Sequence, residues 1–145
     1  MQRSLLPFTG TTEYTIVVAG SRTIEDPEVT YAAIERSGYP ISEVVSGTAH
    51  GPDTHGENWA IMNDIPVKRM SADWESKGKK AGMLRNKKMA AYADGVVAVW
   101  DGESAGTKQM IDHAHDQKMP VFVSILGGGD YQNRYYDLSL NKIPT

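Results

Sequence analysis

The chain has no cysteine. Disulfides, thiolate nucleophiles and cysteine-based metal sites are therefore excluded, and a reducing compartment suits it. Long hydrophobic runs are also missing: no stretch approaches the roughly 18 apolar residues of a membrane span. The apolar patch in the opening "MQRSLLPFTGTTEY" is too short for the core of a signal peptide. These absences predict a cytoplasmic protein with no membrane partner. Positive charge is scarce too, with 15 Lys and Arg against 18 Asp and Glu, a net charge of -3 and a pI near 5.8. That balance argues against a protein whose main task is coating nucleic acid.

What remains is enough for a core. The 145 residues, 40% hydrophobic and 23% charged, fall within the range of one ordinary domain, and a chain of this length buries roughly 70% of its unfolded surface. We read residues 1–145 as one domain, with 1–13 and 127–145 as peripheral tails. The tail from 127 lacks periodicity; its three leading glycines suggest a hinge, after which the chain frays or packs across a neighbour. Charge is unevenly placed: "KGKKAGMLRNKK" (77–88) holds six of the 15 cations.

Five apolar runs recur: "YTIVVAG" (14–20), "ISEVVSG" (41–47), "PVKRM" (66–70), "GVVAVW" (95–100) and "PVFVSIL" (120–126). Several are rich in Val and Ile and continuously apolar, as in strands covered on both faces. Between them lie helical segments near 27–37, 53–63, 79–93 and 106–117, the first opened by Asp26-Pro27, a capping residue followed by a first-turn proline. Alternating strands and helices predict an α/β fold with a parallel, doubly wound sheet of about five strands.

In such a sheet, ligands sit beyond the carboxyl ends of the strands, usually where strand order reverses. After the first strand comes Gly20-Ser21-Arg22, after the second "SGTAHGPD" (46–53), after the third "SADWESKGKKAGMLRN" (71–86), and after the fourth "DGESAGT" (101–107). With order 3-2-1-4-5, the loops at Gly20 and Gly102 flank the reversal. Glycine allows close backbone approach, and free N–H groups at a helix start favour a phosphate. "GESAGT" supplies these with the Ser104 and Thr107 hydroxyls, and Arg22 and Arg85 add charge-assisted bonds. Neither a Walker loop nor G-x-G-x-x-G is present. The candidate ligand-binding set is Gly20, Ser21, Arg22, Ser46, Gly47, His50, Gly51, Asp53, Arg85, Asn86, Asp101, Gly102, Ser104, Gly106 and Thr107.

These four motifs, in this order and spacing, resemble the SLOG superfamily (named for Smf/DprA and LOG proteins), in its small YspA-like branch, over about residues 14–124. The resemblance implies a Rossmann-like three-layer fold that binds nucleotides or nucleotide-derived molecules, without a separate cofactor, and commonly dimerises. Its relatives include LOG phosphoribohydrolases, which cleave an N-glycosidic bond, DprA, which binds single-stranded DNA, and SLOG sensor domains that bind signalling nucleotides. Sensing is the reading we favour; hydrolysis and single-stranded DNA binding are the alternatives, the last disfavoured by the acidic charge.

LOG enzymes resemble "PGGxGTxxE" at the fourth loop, with an Arg before the preceding helix. Arg85 matches that Arg, but aligning Gly106-Thr107 with Gly-Thr puts Met110 where the catalytic Glu belongs. A thioether moves no proton, so no catalytic residue is assigned beyond the weak candidates Arg85 and Glu103.

Other residues carry two readings each. Asp53 is either the N-cap of its helix or a ribose contact, and the two are compatible. His50 and His55 sit at the mouth of the loop, but without cysteine or a carboxylate at ligand spacing no metal site is expected. Trp74 stacks on a base or seals the core, the second being favoured; Trp59 is read as core, and Trp100 ends a strand where it can face the site.

Overall fold

The computed structural model describes residues 13–127, 130–137 and 141–143. The chain runs β1 (Tyr14–Gly20), α1 (Pro27–Ser37), β2 (Ile41–Ser46), α2 (Pro52–Met62), β3 (Val67–Arg69), α3 (Trp74–Lys77), a 3-10 turn (Gly78–Lys80), α4 (Ala81–Tyr92), β4 (Gly95–Trp100), α5 (Ala105–Asp116) and β5 (Val121–Gly127), followed by β6 (Asp130–Asp137) and β7 (Asn141–Ile143). The sheet order is β3-β2-β1-β4-β5-β6-β7. Strands β1 to β5 are parallel throughout, so strand order reverses between β1 and β4.

Because side chains alternate across a strand, the apolar runs feed two cores. Val17, Ala19, Val96, Ala98, Val121 and Val123 face α4 and α5 through Met89, Met110 and Ala114. Ile16, Val18, Val44, Val97, Val99 and Phe122 face α1 and α2 through Ile34 and Ala60. The result is the expected three-layer, Rossmann-like arrangement. Trp59 is only half-buried, packed against the second core, with its Nε1 on Glu35 at 3.0 Å.

Helix α1 starts as predicted: Asp26 accepts from the Glu28 N–H at 3.0 Å and Pro27 follows. Helix α2 differs. Pro52 occupies its first position and Gly51, at φ 80°, is the N-cap, so Asp53 lies inside the helix and caps nothing. Gly56 lets α2 lie close on β1, since a Cβ there would stand 2.6 Å from Val18 Cβ.

The helix expected over 79–93 is present as the 3-10 turn and α4, but the unexpected short helix α3 precedes it, set off at Gly78, whose φ of 56° and ψ of -134° leave helical space. One expectation is corrected. The tail expected to fray or cross to a neighbour contributes β6 and β7, which pair antiparallel with β5 and with each other and bring the sheet to seven strands. An open sheet edge recruits a strand through its backbone, and the tail's tyrosines suit that conformation. Of the hinge proposed at 127–129, Gly127 ends β5 and pairs with Asp130, while 128 and 129 lie outside the described residues, as do residues 1–12 of the N-terminal tail. Among the described residues, no helix is long and apolar enough to cross a membrane.

Candidate functional site

The loops after β1 and β4 are stitched together at the point of reversal. Asp101 Oδ1 accepts the N–H groups of Glu103 and Ser104, both at 2.8 Å, while Oδ2 accepts Thr23 Oγ1 at 2.9 Å. The Asp101 N–H donates to Ser21 Oγ at 3.0 Å, and Ser21 Oγ meets Thr107 Oγ1 at 3.4 Å. Partial burial pushes the Asp101 carboxyl up, but bonds from the Ser104 and Glu103 N–H groups and the Thr23 and Ser21 hydroxyls outweigh it and hold it below its ordinary value. Asp101 and Ser21 thus act as braces. Gly102, at φ 83°, provides the turn, Ser104 caps α5, and Trp100 Nε1 holds the Ser104 carbonyl at 3.0 Å. Trp100 fastens this loop from below.

The loop after β2 is anchored from beneath by a residue the sequence reading passed over. Glu57, buried on α2, accepts Ser46 Oγ at 2.6 Å and Arg69 Nη2 at 2.6 Å. Ser46 Oγ in turn accepts the Thr48 N–H at 3.0 Å. Ser46 is fully buried, and its hydroxyl is used inside the fold. Gly51 packs on the β1 loop, where a Cβ would come 3.1 Å from the Ser21 carbonyl oxygen. His50 is exposed and lies outside the cavity lining. His55 is buried and its Nδ1 meets Thr30 Oγ1 at 2.8 Å.

Above these loops opens a cavity of about 770 Å³. Its polar lining includes Arg22, Asp53, Arg85 and Asn86, with Asp101, Glu103, Ser104 and Thr107 from the fourth loop. Gly20 and Gly106 bring bare backbone to it. At Gly20 a Cβ would stand 2.3 Å from the Val99 carbonyl oxygen and 2.5 Å from Pro52 Cγ, whereas at Gly106 it would meet nothing within 4 Å. Ser104 Oγ takes the Thr107 N–H, while the Ala105 and Gly106 N–H groups of α5 have no intrahelical acceptor, so this open backbone is a place where an anion can approach.

Arg85 is held at the centre by hydrogen bonds. Its Nη1 donates to the Gly47 carbonyl and its Nε to Asn86 Oδ1 at 2.9 Å. Asn86 Nδ2 passes the chain on to the Gly106 carbonyl at 3.2 Å and to Gln109 Oε1 at 3.4 Å. Burial lowers the Arg85 pKa, the Asp53 charge opposes this, and the Arg22 charge lowers it further. Asp53, 4% exposed, accepts the Ala49 N–H at 3.1 Å. Burial pushes its carboxyl up from 3.8 to about 6, against the opposing pull of the Ala49 N–H and the Arg85 charge. Among the described residues, neither Arg22 nor Lys79, both on the cavity, has an ion-pair partner.

Sequence reasoning missed Thr23, Glu57, Gln109 and Met83. Asp53 and Glu57, four apart on α2, share one face of that helix; this spacing was the signal that both turn inward. Met110 is 1% exposed and part of the core beneath the cavity. Trp74, for which core packing was favoured, is 53% exposed and lines the cavity, because α3 is too short to press it into either core.

Residues 14–76, from β1 through the start of α3, match the YspA, cpYpsA-related SLOG family. The chain is also similar to the Gene 61 protein of Mycobacterium phage D29, 36% identical over 116 residues that cover 73% of this chain and 92% of that protein. With its reversal-point loops, this chain belongs to the YspA, cpYpsA-related SLOG family.

Proposed function

We propose that this chain binds a nucleotide or nucleotide-derived molecule in the cavity above β1, β2 and β4, as a sensor or signalling component. The observation that carries the reading is the convergence of Arg22 and Arg85 on one cavity, next to the open backbone of Gly106. The Arg22 charge disfavours that of Arg85, and an anion between the two relieves it. In this reading the α5 N-terminus and Arg22 take the phosphates, Arg85 bridges phosphate and ribose, and Asp53 lies within reach of a ribose hydroxyl. A cytoplasmic location and a homodimer belong to the same proposal, the dimer being open to sedimentation. Titration with nucleoside monophosphates and diphosphates tests it: binding that depends on Arg22 and Arg85 supports the reading, and unchanged affinity in Arg22→Ala and Arg85→Ala removes it.

A second reading, hydrolysis of the bound nucleotide, is favoured by Asp53, a cavity carboxyl that titrates near 6 and so suits general acid or base work. Met110 offers no proton chemistry, and the Asp101 carboxylate is engaged by its own loop. Turnover that disappears in Asp53→Asn supports hydrolysis; no turnover across a panel of nucleotides leaves the binding reading.

A further inference from the structure

The cavity changes character along α4. At the end nearest α5, Asn86 touches the Gly106 carbonyl. Four residues earlier the lining is Trp74, Gly82 and Met83. Trp74 is 53% and Met83 41% exposed, and neither belongs to a core cluster. Helix α3, which carries Trp74, has only four residues and buries none of them. It is fastened by Asp73, which accepts the Ser76 N–H at 3.2 Å, and by the Gly78 N–H on the Trp74 carbonyl. The indole lies against α4 where a side chain is missing: a Cβ on Gly82 would come 3.3 Å from Trp74 Cη2. A large aromatic surface is thus presented to the cavity instead of to the core, which is how an aromatic side chain serves a planar ligand.

We propose that Trp74, with Met83 beside it, is the wall on which the base of the bound nucleotide stacks. The proposal rests on the nucleotide reading and adds its orientation. Gly82 and Asn86 are four residues apart, about 6 Å along the helix axis. The stacking wall therefore stands about one helical turn from the anion end, a separation that suits the phosphate and base of a single nucleotide. Stacking is tolerant of base identity, so Trp74 selects for the presence of a base and only weakly for which one.

The test uses the full chain and calorimetric titration with the four nucleoside diphosphates and with inorganic diphosphate, which lacks the base. Trp74→Ala is expected to weaken the nucleoside diphosphates by roughly tenfold to a hundredfold and to leave inorganic diphosphate unchanged, while Trp74→Phe keeps most of the affinity. Equal losses for both kinds of ligand, or no loss for the nucleoside diphosphates, overturn the stacking wall. Arg22→Ala separates the two readings: if it weakens nucleoside diphosphates and Trp74→Ala does not, the cavity stands and the wall falls. If the wild-type chain binds no nucleoside diphosphate, both fall.

Discussion

The Gly47 carbonyl accepts a hydrogen bond from Arg85, 38 residues away in the chain, and this one contact joins the loop after β2 to α4. It depends on Gly47 having no side chain. A Cβ there would stand 2.7 Å from Arg85 Nη1 and 2.7 Å from Asp53 Oδ2. The cation at the centre of the cavity is thus placed by a glycine that does not line it.

Gly47→Ala should displace the Arg85 guanidinium, the more flexible of the two neighbours, while the sheet stays intact. We expect about 1–3 kcal/mol of destabilisation and a loss of nucleotide affinity of about tenfold or more. Urea unfolding and titration of the same sample read the two effects separately. Full affinity in the variant would mean that the Arg85 position is unimportant.

Asp53 sets a pH dependence of stability with a definite sign. Its folded-state carboxyl titrates near 6, above the ordinary 3.8, so between these values the folded protein holds a proton that the unfolded chain has released. Stability from this group is therefore fully present below about 3.8 and declines as pH rises through about 6. The displacement corresponds to ~3 kcal/mol. Asp53→Asn, which does not ionise, should remove this decline. Urea unfolding of both proteins from pH 4 to 7 should show their stability difference changing across this window and constant above it.

Gly20 and Gly106 should respond oppositely to a methyl group. At Gly20 it would meet the fixed Val99 carbonyl and Pro52, and Gly20→Ala should cost ~3 kcal/mol or more. At Gly106 the space is open and the backbone is helical, so Gly106→Ala should hold or raise stability by up to ~1 kcal/mol. Because that open space is where the ligand is proposed to lie, its nucleotide affinity should fall. Thermal melts and titration of the pair check both directions.

Much of the fold was legible, and the reasons are local. The apolar runs of β1 and β4 and the Asp26-Pro27 cap of α1 mark their elements without help from the rest of the chain. Asp53 shows where local reading ends: it follows Gly-Pro as a cap would, yet Pro52 takes the first helical position, which turns Asp53 inward. That the same polar residue is a buried neighbour of Arg85 depends on a contact with α4. Glu57 was hidden for the same reason, since its role exists only where Ser46 and Arg69 meet it. Strand β6 reads as an aperiodic tail because its pairing to the edge of β5 runs through backbone groups, and its tyrosines show no alternating pattern. Trp74 lies on α3, a four-residue helix the periodicity did not mark, which ends at Gly78 and buries none of its residues.

The most direct test of the central claim is a thermal-shift titration of wild type and Arg22→Ala with nucleoside diphosphates. Arg22 is exposed and has no ion-pair partner among the described residues, so its removal should leave the fold unchanged. In wild type the melting temperature should rise with ligand concentration as mass action requires, and the rise should be largely lost in the variant. An equal rise in both proteins, or none in wild type with any nucleotide, would contradict that claim.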